Sequence, residues 1–406
     1  MDESLINELL AAFPGAKRAA QGLILPGKDG AVFHLLNVIP TKELEGLSPE
    51  ETFFRDFCSR KEILRLRELR SAYDYLLRLR ANAIADSPRA IRVMIARRKT
   101  FESTGRQWAL SHYYHSKDFH HKSYINLLQR TNAKKLKSIP SGLAFITEAN
   151  AVCVRSLVGD VVLASESLEH FYYFMTLAFY GQQLGIELID RADALLIAVR
   201  IMNGAEALDF DLDPRGTLPP DTERTLAALV KAQMQFTFGH EYAHLLCGHL
   251  SESNTPSDAV AIAEDMAHLK NLRLYSHELE FQADLYAIKH VDQSKSAYAA
   301  IAQGAFSVLL YLHFLQEMRE PCGMRALSVS DTHPAALERI HRLHKGLGKK
   351  SPLNEETIAD ILAVSSEMSS VLAHRLKDAR EDLLTFYGSI YLPSYVTRPK
   401  QDRYDF

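Results

Sequence analysis

The sequence predicts a mainly α-helical fold with a small β-sheet, in the α+β class. Three observations lead there. Apolar residues recur at three- and four-residue steps over much of the chain, β-prone runs gather between Gly142 and Ala164, and a stretch without charge from Ser296 to Gln316 has the length and texture of a buried helix.

Residues 1–139 read as a mostly helical, partly basic region. Between Arg55 and Arg106, Arg65, Arg67, Arg70, Arg78 and Arg80 interleave with Leu64, Leu66, Leu69, Leu76, Leu77 and Leu79. Glu62, Glu68 and Asp74 dilute that charge, so the pattern predicts an amphipathic helix with a solvated charged face rather than a nucleic-acid or partner-binding arm. His112-Tyr113-Tyr114-His115 and His120-His121 have no carboxylate or cysteine at ligand spacing and read as an aromatic polar surface or partner patch. Ala151 to Val154 and Val161 to Leu163, separated by Val158-Gly159-Asp160, predict a hairpin whose edge can take an extended peptide through backbone hydrogen bonds. Ser167 to Gly181 returns to helix, with an aromatic stripe suited to a core.

From Asp221 to Thr255 there is no proline, and Leu226, Leu229, Val230, Met234 and Phe238 step along a helix face. Pro219-Pro220 supplies a stop, Asp221-Thr222 an N-cap, and Ser251 to Pro256 an end. A further helix runs from Ser276 to about His290, and another from Asn354 to about Tyr387 with Ile358, Ile361, Leu362, Met368, Leu372 and Leu376 on its apolar side. From Leu392 the chain reads as an irregular tail. The expected division is 1–139, a central region over 140–350, and a C-terminal helix and tail over 351–406.

At 406 residues the chain is long enough for two or three domains, or for one large domain with helical additions. A net charge of −3 gives no broad attraction to nucleic acid or acidic lipid. Cys58, Cys153, Cys247 and Cys322 are scattered and fit a reducing compartment. The acidic start Met1-Asp2-Glu3-Ser4 is unlike a signal peptide, so the expectation is a cytoplasmic protein without a transmembrane anchor, Ser296 to Gln316 belonging to the core.

Residues 240 to 244 read His-Glu-Tyr-Ala-His. On a helix, positions i and i+4 share a face, so His240 and His244 can present their imidazoles to one zinc ion while Glu241 sits beside the metal's water. Such a site needs a third protein ligand and an open position. Glu280 is the best candidate, because Asp284, one turn on, can accept a hydrogen bond from the free ring nitrogen of a ligand histidine. His277, Glu278 and His290 are rivals for the ligand role. Cys247 would close the open position as a fourth ligand, so it reads as a buried thiol, and His249 reads as structural.

Glu280-Phe281-Gln282-Ala283-Asp284 resembles the Glu-x-x-Ala-Asp third-ligand motif of the gluzincin metallopeptidases, in particular the superfamily of the CAAX-prenyl endopeptidases and heat-shock-induced membrane proteases. His240 to His249, HEYAHLLCGH, is similar to that group's extended word. Asp331-Thr332-His333-Pro334, followed by Glu338-Arg339-Ile340, is similar to its downstream His-Pro segment. The resemblance covers about residues 140–345 and implies a zincin-like domain in which His240, His244 and Glu280 hold one zinc per chain. It makes Glu241 the general base, Asp284 the partner of a ligand histidine, and His333 a donor to the oxyanion of the tetrahedral intermediate. A local reading of His333 stays open, in which Asp331 or Thr332 caps a helix with Pro334 in its first turn. Those proteases carry several transmembrane helices, whereas this chain has a mean hydropathy slightly below zero. It looks like a soluble form, with a weaker resemblance to the cytoplasmic phage-exclusion peptidases through the His-Glu-x-x-His word.

The expected function is hydrolysis of a peptide bond in a protein or peptide substrate by zinc-activated water. The competing class is a partner-regulated or inactive zinc-binding interaction protein. Glu241 argues against it, since a structural zinc site needs no general base.

Overall fold

The computed structural model describes residues 3–19, 22–35, 44–250, 277–292, 295–319, 321–322, 334–379 and 389–397. Helix α1 (Glu3–Ala12) precedes an antiparallel meander of β1 (Lys17–Arg18), β2 (Leu23–Pro26) and β3 (Val32–Leu35). Short helices follow: α2 (Pro49–Phe53), α3 (Arg60–Leu66), α4 (Ala72–Ala85), α5 (Pro88–Glu102), α6 (Leu110–Lys117), α7 (Phe119–Leu127) and α8 (Arg130–Leu136). Ser59, Ser71 and Ser87 each accept a backbone N–H three residues on, and these caps divide the basic stretch into three helices. Its arginines are not all solvated. Arg80 is buried against Asp118 at 2.9 Å, and Arg97 is buried between Glu166 and Asp211, each at 2.9 Å. Carboxylates on other elements meet these two guanidinium groups, which is what a buried charge requires.

The second sheet has the order β4-β6-β5, from β4 (Ser141–Ala144), β5 (Ala151–Ser156) and β6 (Gly159–Ser165). The expected hairpin is β5–β6, and pairing of Ser156 with Gly159 puts Leu157-Val158 at its turn, slightly earlier than Val158 to Asp160. Strand β4 adds parallel to β6, a pairing that its four residues did not signal. Strand β5 is left at the sheet edge.

Helix α9 (Glu166–Tyr180), capped by Ser165, leads through α10 (Leu188–Met202) to α11 (Pro220–Leu246). Proline fits the first turn of a helix, so α11 starts at Pro220 rather than after an Asp221-Thr222 cap. It ends at Leu246, and the stop expected over Ser251 to Pro256 lies outside the described residues. From Ala232 to His244 every residue of α11 is buried. Around that half pack α7, α9, β5, β6, α12 (His277–Lys289) and α13 (Lys295–Met318). A side-chain carbon at Gly304 of α13 would lie 2.7 Å from the carbonyl carbon of Ala232, so these two helices touch backbone to backbone.

By length and composition, Ser296–Met318 is long and apolar enough to cross a membrane, and two-thirds of its most apolar stretch is buried inside the fold. Helix α14 (Ala336–Leu347) packs on α12 and α13, and α15 (Glu355–Ala379) on α10 and α13. The irregular C-terminal stretch is docked: Leu392 is buried and donates its N–H to Arg215, while Thr217 donates to Tyr395. One core cluster joins residues from Phe57 to Leu392.

Candidate metal centre

Helix α11 supplies His240 and His244, and α12 packs alongside to supply Glu280. One potential ligand atom from each lies within 4.8 Å of the others, and all three residues are buried. The two Nε2 atoms are 3.2 Å apart, because residues four apart stack on one helix face. The Glu280 carboxylate approaches them at 3.4 Å and 3.6 Å.

The outward ring nitrogens are occupied. His240 Nδ1 meets Asp284 Oδ1 at 2.9 Å, and His244 Nδ1 meets His249 Nδ1 at 2.9 Å. Arg339, from α14, donates from Nη2 and Nε to the two Asp284 oxygens at 2.7 and 2.8 Å, and comes to 4.0 Å from Glu280. Fixing the Nδ1 atoms leaves the Nε2 lone pairs aimed inward. Two imidazoles and one carboxylate are the three-ligand donor set of a catalytic zinc site, so the residues fit a zinc ion.

Burial opposes a charge on His240, but hydrogen bonds and attraction from Asp284 and Glu280 outweigh it and raise the imidazole to about 10. His244, buried and beside that positive ring, is pushed down to about 2. Burial also opposes the Asp284 carboxylate, and Arg339 and His240 hold it below the usual range. In the metal-free pocket His240 therefore carries the positive charge while His244 stays neutral.

Glu241 follows His240 on α11 and is buried, near enough to Tyr172 for its charge to act on that phenol. His277 is exposed at the start of α12, Glu278 is exposed and 3.9 Å from Arg342, and His290 is half-buried just beyond the other end. None of these three joins the ligand group among the described residues. Asp331, Thr332 and His333 lie outside the described residues. Helix α14 is preceded by Ala335, which places Pro334 ahead of its cap rather than in its first turn. Cys247 is half-buried rather than buried, and burial raises its thiol.

Two side chains gain a place at the centre that the reading of the sequence did not give them. Arg339 lies 55 residues from Asp284 in sequence, so no local pattern announces the contact. His249 had a readable signal, the helix-stopping Gly248 before it, which turns the chain back toward His244. The second histidine cluster is partly interior: His120 is buried against Glu169 at 2.9 Å, and His121 meets the Tyr242 hydroxyl at 3.3 Å, while His112 and His115 are exposed. Rather than forming a surface patch, His120 pairs with Glu169 of α9 and His121 lies against the Phe238 ring of α11.

No curated protein and no solved structure matches the chain. Residues 209–361, which include His240, Glu241, His244, Glu280, Asp284 and Arg339, match the family model described as Peptidase U49, and the match supports a peptidase.

Proposed function

We propose that the chain is a zinc-dependent metallopeptidase of gluzincin type that hydrolyses a peptide bond in a protein or peptide substrate. Its main support is the convergence of the His240 and His244 Nε2 atoms on the Glu280 carboxylate, inside the segment that matches a peptidase family. His240, His244 and Glu280 would hold the zinc, which would supply Lewis acidity toward water and a carbonyl. Glu241 takes the proton of the attacking water at its carboxylate and passes it to the leaving amine nitrogen. Asp284 and His249 hold the rings in the tautomer that keeps Nε2 free for the metal. His333 takes the role of donor to the oxyanion. An extended substrate adds to the edge of β5, which packs on α11, through backbone hydrogen bonds that tolerate varied sequence.

The test is Glu241→Gln in the full chain. The variant keeps one zinc per chain by metal analysis, and cleavage in a proteome-wide profile of new N-termini falls by about 10²- to 10⁴-fold. Equal cleavage by wild type and variant removes Glu241 from the mechanism, and a wild type that takes up no zinc removes the proposal.

A further inference from the structure

We infer that His249 is a positioning residue for the metal centre: as the acceptor of the His244 Nδ1–H, it sets the orientation and tautomer of that ligand. This rests on the zinc reading above. The geometry begins with the way α11 stops. Gly248 has φ +79°, in the left-handed region that favours glycine. The His249 N–H reaches back to the His244 carbonyl at 3.0 Å and the Gly248 N–H to the Leu245 carbonyl at 3.3 Å. These are the two hydrogen bonds of a Schellman stop, in which the residue after the left-handed glycine is brought over the third residue from the helix end. Here those two residues are His249 and His244. The contact usually made there by apolar side chains is replaced by a ring-to-ring contact of 2.9 Å between Nδ1 atoms.

Only one hydrogen can lie between two Nδ1 atoms. A ring that offers its Nε2 lone pair to a metal carries its hydrogen on Nδ1, so His244 donates and His249 accepts. His249 cannot join as a ligand to the same ion, because it meets His244 on the ring edge opposite to Nε2. Both residues are almost wholly buried, at 1% and 2% exposure, so bulk water does not stand in for the acceptor. The stop of the helix thereby holds its second ligand.

The experiment compares full-length wild type, His249→Asn and His249→Phe. Asparagine presents an acceptor oxygen near the position of Nδ1, and phenylalanine keeps the ring but has no acceptor. Zinc affinity is measured by competition with a chelator, the visible spectrum is recorded after loading with cobalt(II), and unfolding is followed on the metal-free forms. His249→Asn is expected within a few-fold of wild type, and His249→Phe weaker by about 10- to 100-fold with an altered cobalt spectrum. If His249→Phe does not fold, His249→Leu replaces it as the variant without an acceptor. Wild-type affinity and an unchanged cobalt spectrum in the folded variant without an acceptor overturn the assignment. Equal losses in the asparagine variant and that variant do so too, since packing alone would then explain them. A wild type that binds neither metal overturns the zinc reading itself, a failure distinct from either of these.

Discussion

Arg339→Met removes the guanidinium that is clasped to Asp284, and the cost can be worked from the contact. Nη2 and Nε lie 2.7 and 2.8 Å from the two carboxylate oxygens, and the side chains are 8% and 1% exposed. Each charge-assisted hydrogen bond contributes about 1.5–3 kcal/mol, and stripping one partner from a buried pair costs about 3–5 kcal/mol because the other charge stays buried. His240 still faces Asp284 Oδ1 and offsets part of that cost, which puts the expected loss near the lower end, about 3 kcal/mol. Asp284→Asn strands Arg339 instead, although Glu280 at 4.0 Å remains as a weaker partner. The two losses describe one interaction, so the double variant should cost less than the sum of the singles by about 2–3 kcal/mol. Urea unfolding of the metal-free wild type, both singles and the double gives the cycle, and removing zinc first keeps ligand stabilisation out of it. Single-variant losses that add to within about 0.5 kcal/mol would show that Arg339 and Asp284 are not coupled.

Two further outcomes are expected. Glu280→Ala should weaken zinc binding severely, Asp284→Ala by about 10- to 100-fold, and the exposed His277→Ala hardly at all; chelator competition ranks them, and zinc loss in His277→Ala with retention in Glu280→Ala sinks the ligand assignment. Burial lowers the His121 imidazole to about 4, against the attraction of Asp118, so the native state takes up this proton at lower pH than the unfolded chain, where histidine titrates near 6.5. The neutral ring's contribution is therefore present above about pH 6.5 and is lost as pH falls toward 4, amounting to about 3 kcal/mol at most. Between pH 7 and 4.5 the metal-free wild type should lose more stability than His121→Asn, and parallel pH profiles would count against a buried neutral histidine.

What could be read from the sequence about this protein is what the covalent repeat of a helix dictates. Residues four apart lie about one turn apart wherever the helix sits, so the facing Nε2 atoms of His240 and His244 and the shared face of Glu280 and Asp284 follow from spacing alone. The β5–β6 hairpin and the helix of α9 were legible for the same reason, since alternation and turn residues act over a few neighbours. Tertiary packing decided which acidic or histidine side chain of α12 reaches the pair. His277, Glu278, Glu280 and His290 occupy that helix or its margin, and only the docking of α12 on α11 brings Glu280 inward. The same holds for Arg80, one of the arginines that read as solvated, which Asp118 on another element encloses. Arg339 reaches Asp284 because α14 packs on α12, and that approach depends on side-chain volumes across several helices rather than on any local repeat.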